Sequence, residues 1–127
     1  MKRGSSVVAI VMKKSFDAKK STTVNFLVDS GAVYSVVEAG ILRRLGCKPY
    51  RRKTFFLADG TPIERQIGDA YFEYNGIGGP APVVFGKKGD INLLGATTLE
   101  ALELVLDPFK RELRPMTMPL MGASPFR

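Results

Sequence analysis

Apolar positions in this chain fall in short runs broken by glycine, proline and charged residues, a spacing that suits strands better than helices. Ser5 to Met12 and Thr22 to Val28 are rich in β-branched residues. They flank the polar stretch Lys13 to Ser21, which predicts an N-terminal hairpin with a long loop. Val33 to Val37 again has strand composition, and Glu38 to Leu45 fits a short helix ended by Gly46, with Pro49 beyond. Thr54 to Ala58 and Ile63 to Ile67 lie on either side of Asp59-Gly60, a strong hairpin signal. Ala70 to Tyr74 and Ala81 to Phe85 flank Asn75-Gly76-Ile77-Gly78-Gly79-Pro80, which predicts a second hairpin turning through its glycines. Lys87-Lys88-Gly89-Asp90 reads as an exposed turn and Ile91-Asn92-Leu93-Leu94 as a short buried strand ending at Gly95. Ala96 to Leu102 reads as a helix with Thr97 or Thr98 near its N-cap. Two last strands are expected at Glu103 to Asp107 and Glu112 to Arg114. The expectation is one mainly β domain over residues 1–114 with one or two short helices, and an extended or disordered C-terminal tail over residues 115–127.

A length of 127 residues, 45% of them hydrophobic, supplies one core of moderate size. The run Val7 to Met12 is too short for a signal-peptide core, and no segment approaches the roughly 18 apolar residues of a membrane span. The single cysteine, Cys47, has no internal disulfide partner. A soluble, cytoplasmic protein with no membrane partner is expected.

The chain has no histidine, which removes Ser-His-Asp and Cys-His relays and most zinc sites. No metal and no cofactor are implied, and carboxylates become the leading candidates for chemistry. Cys47, just past the end of the first helix, reads as a packing residue. The Gly-x-Gly-Gly of the second hairpin lacks the lysine and the following helix of a phosphate loop. The net charge of +7 raises a nucleic-acid reading, yet the cations are scattered. The densest group is Arg43, Arg44, Lys48, Arg51, Arg52 and Lys53, at a helix end and the following loop, where cations complement the helix dipole. This reads as a solvated face, without a specific nucleic-acid partner.

Asp29-Ser30-Gly31-Ala32 follows directly on the apolar run Val24 to Val28, so a carboxylate stands where a strand ends and a tight loop begins. Such a group is expected to be partly desolvated, its charge stabilised by nearby donors or by a shared proton, a setting suited to catalysis. The alternative is a turn aspartate that accepts backbone hydrogen bonds.

Four elements in order give the chain a resemblance to the retropepsin-like aspartic proteases, in their cellular or microbial branch. They are Phe26-Leu27-Val28-Asp29-Ser30-Gly31-Ala32, then Leu57-Ala58-Asp59-Gly60-Thr61, then Leu93-Leu94-Gly95 with its helix, and the strand-turn-strand from Leu104 to Leu113. The resemblance implies a single-lobe closed β-barrel that forms a two-fold symmetric homodimer and hydrolyses a peptide or protein substrate. It makes Asp29 the catalytic aspartate and Ser30 a hydroxyl that bonds across the dimer, with Gly31 and Ala32 completing the active-site loop. Ala58, Asp59, Gly60 and Thr61 become the tip of a flap over the substrate, and Leu93, Leu94 and Gly95 the element packed beneath the loop. Ala96 is a departure, because retroviral enzymes usually have arginine there, and the interface salt link of that arginine is not expected.

The same mechanism follows from charge. One Asp29 per chain supplies a single carboxylate, whereas a two-fold axis through the loop brings two together to share one proton. The rival readings are a non-catalytic homodimer that binds peptides or a partner in the same cleft, and a basic nucleic-acid-binding module.

Overall fold

The computed structural model describes residues 6–117. Nine strands and two helices follow one another as β1 (Val7–Lys13), β2 (Ser21–Val28), β3 (Ser35–Glu38), α1 (Ala39–Leu45), β4 (Pro49–Phe56), β5 (Pro62–Tyr74), β6 (Ile77–Gly86), β7 (Leu93–Leu94), α2 (Ala96–Leu102), β8 (Leu104–Asp107) and β9 (Glu112–Pro115). Seven strands form one sheet in the order β1-β2-β7-β3-β6-β5-β4, and β8 and β9 form a separate hairpin. A further antiparallel pairing joins the end of β1 to β5, from Val11 opposite Glu73 to Lys13 opposite Tyr71. This pairing brings the sheet back from β5 to β1, a circuit of six strands in line with the expected barrel, while β4 lies beyond it as an edge that, among the described residues, is bonded on one side.

Period-two alternation accounts for the first strand. Val8, Ile10 and Met12 are buried while Val7 and Ala9 face out. They meet Phe26 and Phe72, whose rings lie 6.1 Å apart, and Leu42, Leu94 and Leu104 from other elements. Each of these fully buried side chains contributes roughly 1.5–3 kcal/mol. Cys47 is part of this core, and burial pushes its thiol pKa up, which keeps it protonated and unreactive.

The chain departs from the sequence expectation at several places, and β4 already starts at Pro49, so Arg51, Arg52 and Lys53 are in a strand where a loop was expected. Ile63 to Tyr74 belongs to one long strand, because Gly68 does not turn the chain. A Cβ there would lie 2.7 Å from the Lys48 carbonyl, so the glycine admits a neighbouring backbone. The second hairpin turns in two residues, Asn75 (φ 50°) and Gly76 (φ 81°), as a strand-matched tight turn requires, and Ile77 to Pro80 are already in β6. Helix α2 starts from Gly95 without a side-chain cap, and Thr98 is buried instead. Ile91 is exposed, and only Leu93 and Leu94 pair as strand.

Helix α1 ends as expected, at Gly46 with φ 95°, whose N–H donates to the Arg43 carbonyl. The tail expected from residue 115 is in β9 at Pro115, and Met116 N–H donates to Glu103 O. Residues 118–127 of that tail lie outside the described residues. No helix among the described residues is long and apolar enough to cross a membrane.

Candidate active site

Strand β7 sits between β2 and β3, parallel to the first and antiparallel to the second, and so fixes where β2 ends. Leu27 and Val28 pair with Leu93 and Leu94, and the next residue, Asp29, donates its N–H to Leu94 O at 3.0 Å. The chain then turns. Gly31 N–H donates to Asp29 Oδ1 at 2.9 Å, and Ala32 N–H to Asp29 O at 3.1 Å. A Cβ on Gly31 would lie 3.2 Å from Asp29 Oδ1, so the glycine leaves room for the carboxylate in this turn. Asp29, Ser30 and Gly31 are exposed in the single chain, which corrects the expected partial desolvation of Asp29: the end of β2 presents the carboxylate outward.

The start of α2 closes the loop from behind. Ala96 N–H donates to Ala32 O at 2.7 Å and Thr97 N–H to Val33 O at 2.9 Å, so the loop carbonyls serve the free N–H groups of the helix. This use of Ala32 and Val33 explains why β3 begins only at Ser35. Gly95 allows the approach, because a Cβ there would stand 2.5 Å from Tyr34 O and 2.9 Å from Ala32 O. Gly95 N–H donates to the buried Ser35 Oγ at 2.9 Å, and Ser35 Oγ lies 2.5 Å from the buried Thr98 Oγ1. Leu93 and Leu94 therefore pair with the end of the strand that leads into Asp29, and Gly95 lies against Ala32 and Tyr34.

A groove of about 730 Å³ opens beside this loop. One wall is Ala32, Val33 and Tyr34, another is Phe55, Phe56 and Ile63 from the β4–β5 hairpin, and Gly89 to Ile91 close the end. Tyr34 meets Phe55 edge to face with centroids 6.1 Å apart, tying the loop to the hairpin. The groove is predominantly apolar. Among the described residues its ion pair is Arg65 with Asp90, bidentate at 2.8 and 3.1 Å and largely shielded from solvent. Hydrogen bonding from Arg65 holds the Asp90 carboxyl below the usual range and raises the guanidinium pKa; Lys87 N–H also donates to Asp90 Oδ2.

The hairpin tip spans Leu57 to Thr61. Leu57 N–H donates to Thr61 O, Gly60 N–H to Leu57 O, and Thr61 N–H to Asp59 Oδ1, while Gly60 takes φ 88°. These bonds to Thr61 hold the Asp59 carboxyl below its ordinary range. Ala58 to Thr61 are exposed, and a Cβ built on Gly60 would meet nothing within 4 Å. The glycine-rich hairpin lies elsewhere, with Gly79 against Leu102 and Ala101 of α2.

Sequence reasoning missed Ser35, Thr98, Tyr34 and the Arg65–Asp90 pair. A serine inside Val-rich β3 and a threonine on the buried face of α2 are the signals that mark the first two.

No protein-family model matches the sequence and no curated protein matches it. Among solved structures, a retroviral protease shows that the fold is retropepsin-like. The EIAV protease, solved in complex with the inhibitor HBY-793, superposes with a TM-score of 0.52 at 20% identity, over 76% of this chain and 86% of that one. A retropepsin-like aspartic protease from Rickettsia conorii is similar over 80% of this chain and 84% of that one, at 24% identity and a TM-score of 0.42.

Proposed function

We propose that the protein is an aspartic endopeptidase in which the Asp29 carboxylates of two chains activate one water. The reading is carried by the placement of Asp29, an outward-facing carboxylate on a hydrogen-bonded loop whose Ala32 lines an apolar groove, on a retropepsin-like fold. The groove's own carboxylate, Asp90, is committed to Arg65 and cannot serve as the second acid. The partner carboxylate then comes from a second copy related by a two-fold axis through the loop.

Two adjacent carboxylates do not both ionise cheaply, so the pair holds one proton. The ionised member takes a proton from water as the oxygen attacks the scissile carbonyl, and the protonated member gives its proton to the carbonyl oxygen. Collapse of the tetrahedral intermediate returns a proton to the leaving amine and breaks the C–N bond. Ser30 is assigned the hydroxyl that bonds across the dimer, and Ala58 to Thr61 the flap over the substrate. The substrate is an extended peptide whose backbone pairs with flap groups and whose apolar side chains enter the groove. The test is pepstatin-sensitive cleavage of a peptide library by the purified protein. Asp29→Asn should remove the cleavage without changing the oligomer. Undiminished cleavage by that variant would falsify the assignment.

A further inference from the structure

The hairpin that walls the apolar groove carries a second groove, of about 500 Å³, on the side of Arg52 and Gln66. Four cations line it, Arg43, Arg52, Lys87 and Lys88, against one carboxylate, Glu38. Two features separate it from an ordinary basic surface. Arg43 has two neighbours that narrow the positions of its side chain, the Phe85 ring centroid 5.8 Å from its guanidinium and Gln66 Oε1 3.4 Å from its Nη2. The loop bearing Lys87 and Lys88 is pinned by Asp90, which accepts from Lys87 N–H and is itself clamped by Arg65.

Among the described residues, neither Lys87 nor Lys88 has an ion-pair partner. Arg52 meets only Glu64, at 3.7 Å and with both side chains well exposed. The loop of residues 87–90 is a shared wall: Lys87 and Lys88 face the basic groove, and Gly89 and Asp90 the apolar one.

We infer that this basic groove is an exosite for an acidic stretch of the polypeptide substrate, outside the segment being cleaved. The word substrate rests on the peptidase reading above; the binding of acidic peptide does not. Charge selects the ligand class, because four converging cations with one opposing carboxylate favour a polyanion. The surface favours peptide over nucleic acid, since its aromatic ring, Phe85, is buried and offers no platform for stacking a base. The shared wall places the occupant beside the proposed cleavage groove.

Binding is measured on the Asp29→Asn protein, so that hydrolysis plays no part. A fluorescein-labelled peptide with a run of six glutamates is compared by anisotropy with its glutamine counterpart, in low and moderate salt. The glutamate peptide should bind, and Lys87→Glu with Lys88→Glu should weaken it by about tenfold or more. Lys19→Glu with Lys110→Glu, the same change in net charge elsewhere, should leave binding within about twofold. Equal binding of the two peptides, or equal losses from the two double variants, overturns the exosite. Tighter binding of a single-stranded oligonucleotide with the same sensitivity to Lys87 and Lys88 overturns the peptide assignment in favour of nucleic acid. If the binding results stand and the wild-type protein cleaves nothing, the peptidase reading alone fails.

Discussion

Ser35 Oγ stands 2.5 Å from Thr98 Oγ1, joining β3 to α2 across 63 residues of sequence, with both hydroxyls buried. The same Ser35 oxygen accepts from Gly95 N–H, so one hydroxyl holds together the first turn of α2 and the strand that follows the Asp29 loop.

This arrangement sets an order of stabilities. Ser35→Ala leaves two buried groups without their partner, Gly95 N–H and the Thr98 hydroxyl, and should cost about 2–3 kcal/mol. Thr98→Val keeps the shape and the Gly95 bond, and should cost about 1 kcal/mol. Urea unfolding of the two variants measures this difference, and equal losses would show that the two hydroxyls are not acting through Gly95.

Gly95→Ala should be among the most damaging small substitutions in the chain. Its Cβ meets the Tyr34 and Ala32 carbonyls, which are backbone and cannot swing aside, so a loss of about 3 kcal/mol or more is expected. Gly76→Ala meets no neighbour and carries only the strain of its positive φ, about 1–2 kcal/mol. Denaturation midpoints of both variants test the contrast.

At the hairpin tip, Gly60→Val should lower peptidase activity far more than it lowers stability. The residue has φ 88°, which a β-branched side chain resists, yet it is exposed and its Cβ would meet open space, away from the core. Gly78→Ala makes a poor control, because its Cβ would press on the Tyr71 ring. If Gly60→Val retains full turnover, the flap assignment fails.

Two pH dependences are expected. The first belongs to activity: the competent pair of Asp29 carboxylates carries one proton, so cleavage should be greatest at acidic pH and fall as the second carboxylate ionises. A rate still climbing at pH 9 would contradict the shared-proton mechanism. The second belongs to stability. The folded Asp90 pKa lies below its unfolded value of about 4, so its contribution is fully present above that value and is lost as pH falls through the lower, folded one. Asp107 is lowered in the same direction, chiefly by the N–H of Lys110, and adds to the trend. Unfolding free energy should therefore decline below about pH 4. Asp90→Asn should cost about 1–2 kcal/mol at neutral pH and flatten the acid limb. An unchanged limb would remove the Arg65–Asp90 clamp as its cause.

Much of this was legible in the sequence because it is local. β-branched runs, Gly46 after a helical stretch and Asp59-Gly60 between apolar segments each report on the next few residues, and the Asp29 loop announces itself by position. The remainder depends on which distant residues meet. Ser35 and Thr98, Tyr34 and Phe55, and Arg65 and Asp90 are ordinary residues until the sheet order brings them together. Gly68 misled for a related reason: a glycine that yields to another backbone has the same signature as one that turns. The groove itself is built by three segments, none of which declares it alone.

Strand β4 has consequences for how copies of this protein meet in solution. Among the described residues its outer edge has N–H and C=O groups with no partner strand, the kind of rail along which sheets from different molecules can zip into aggregates. Arg51, Arg52 and Lys53 stand consecutively on that rail. Two such edges laid side by side would bring six cations together, so the strand guards the protein against stacking on itself while leaving other faces free for association.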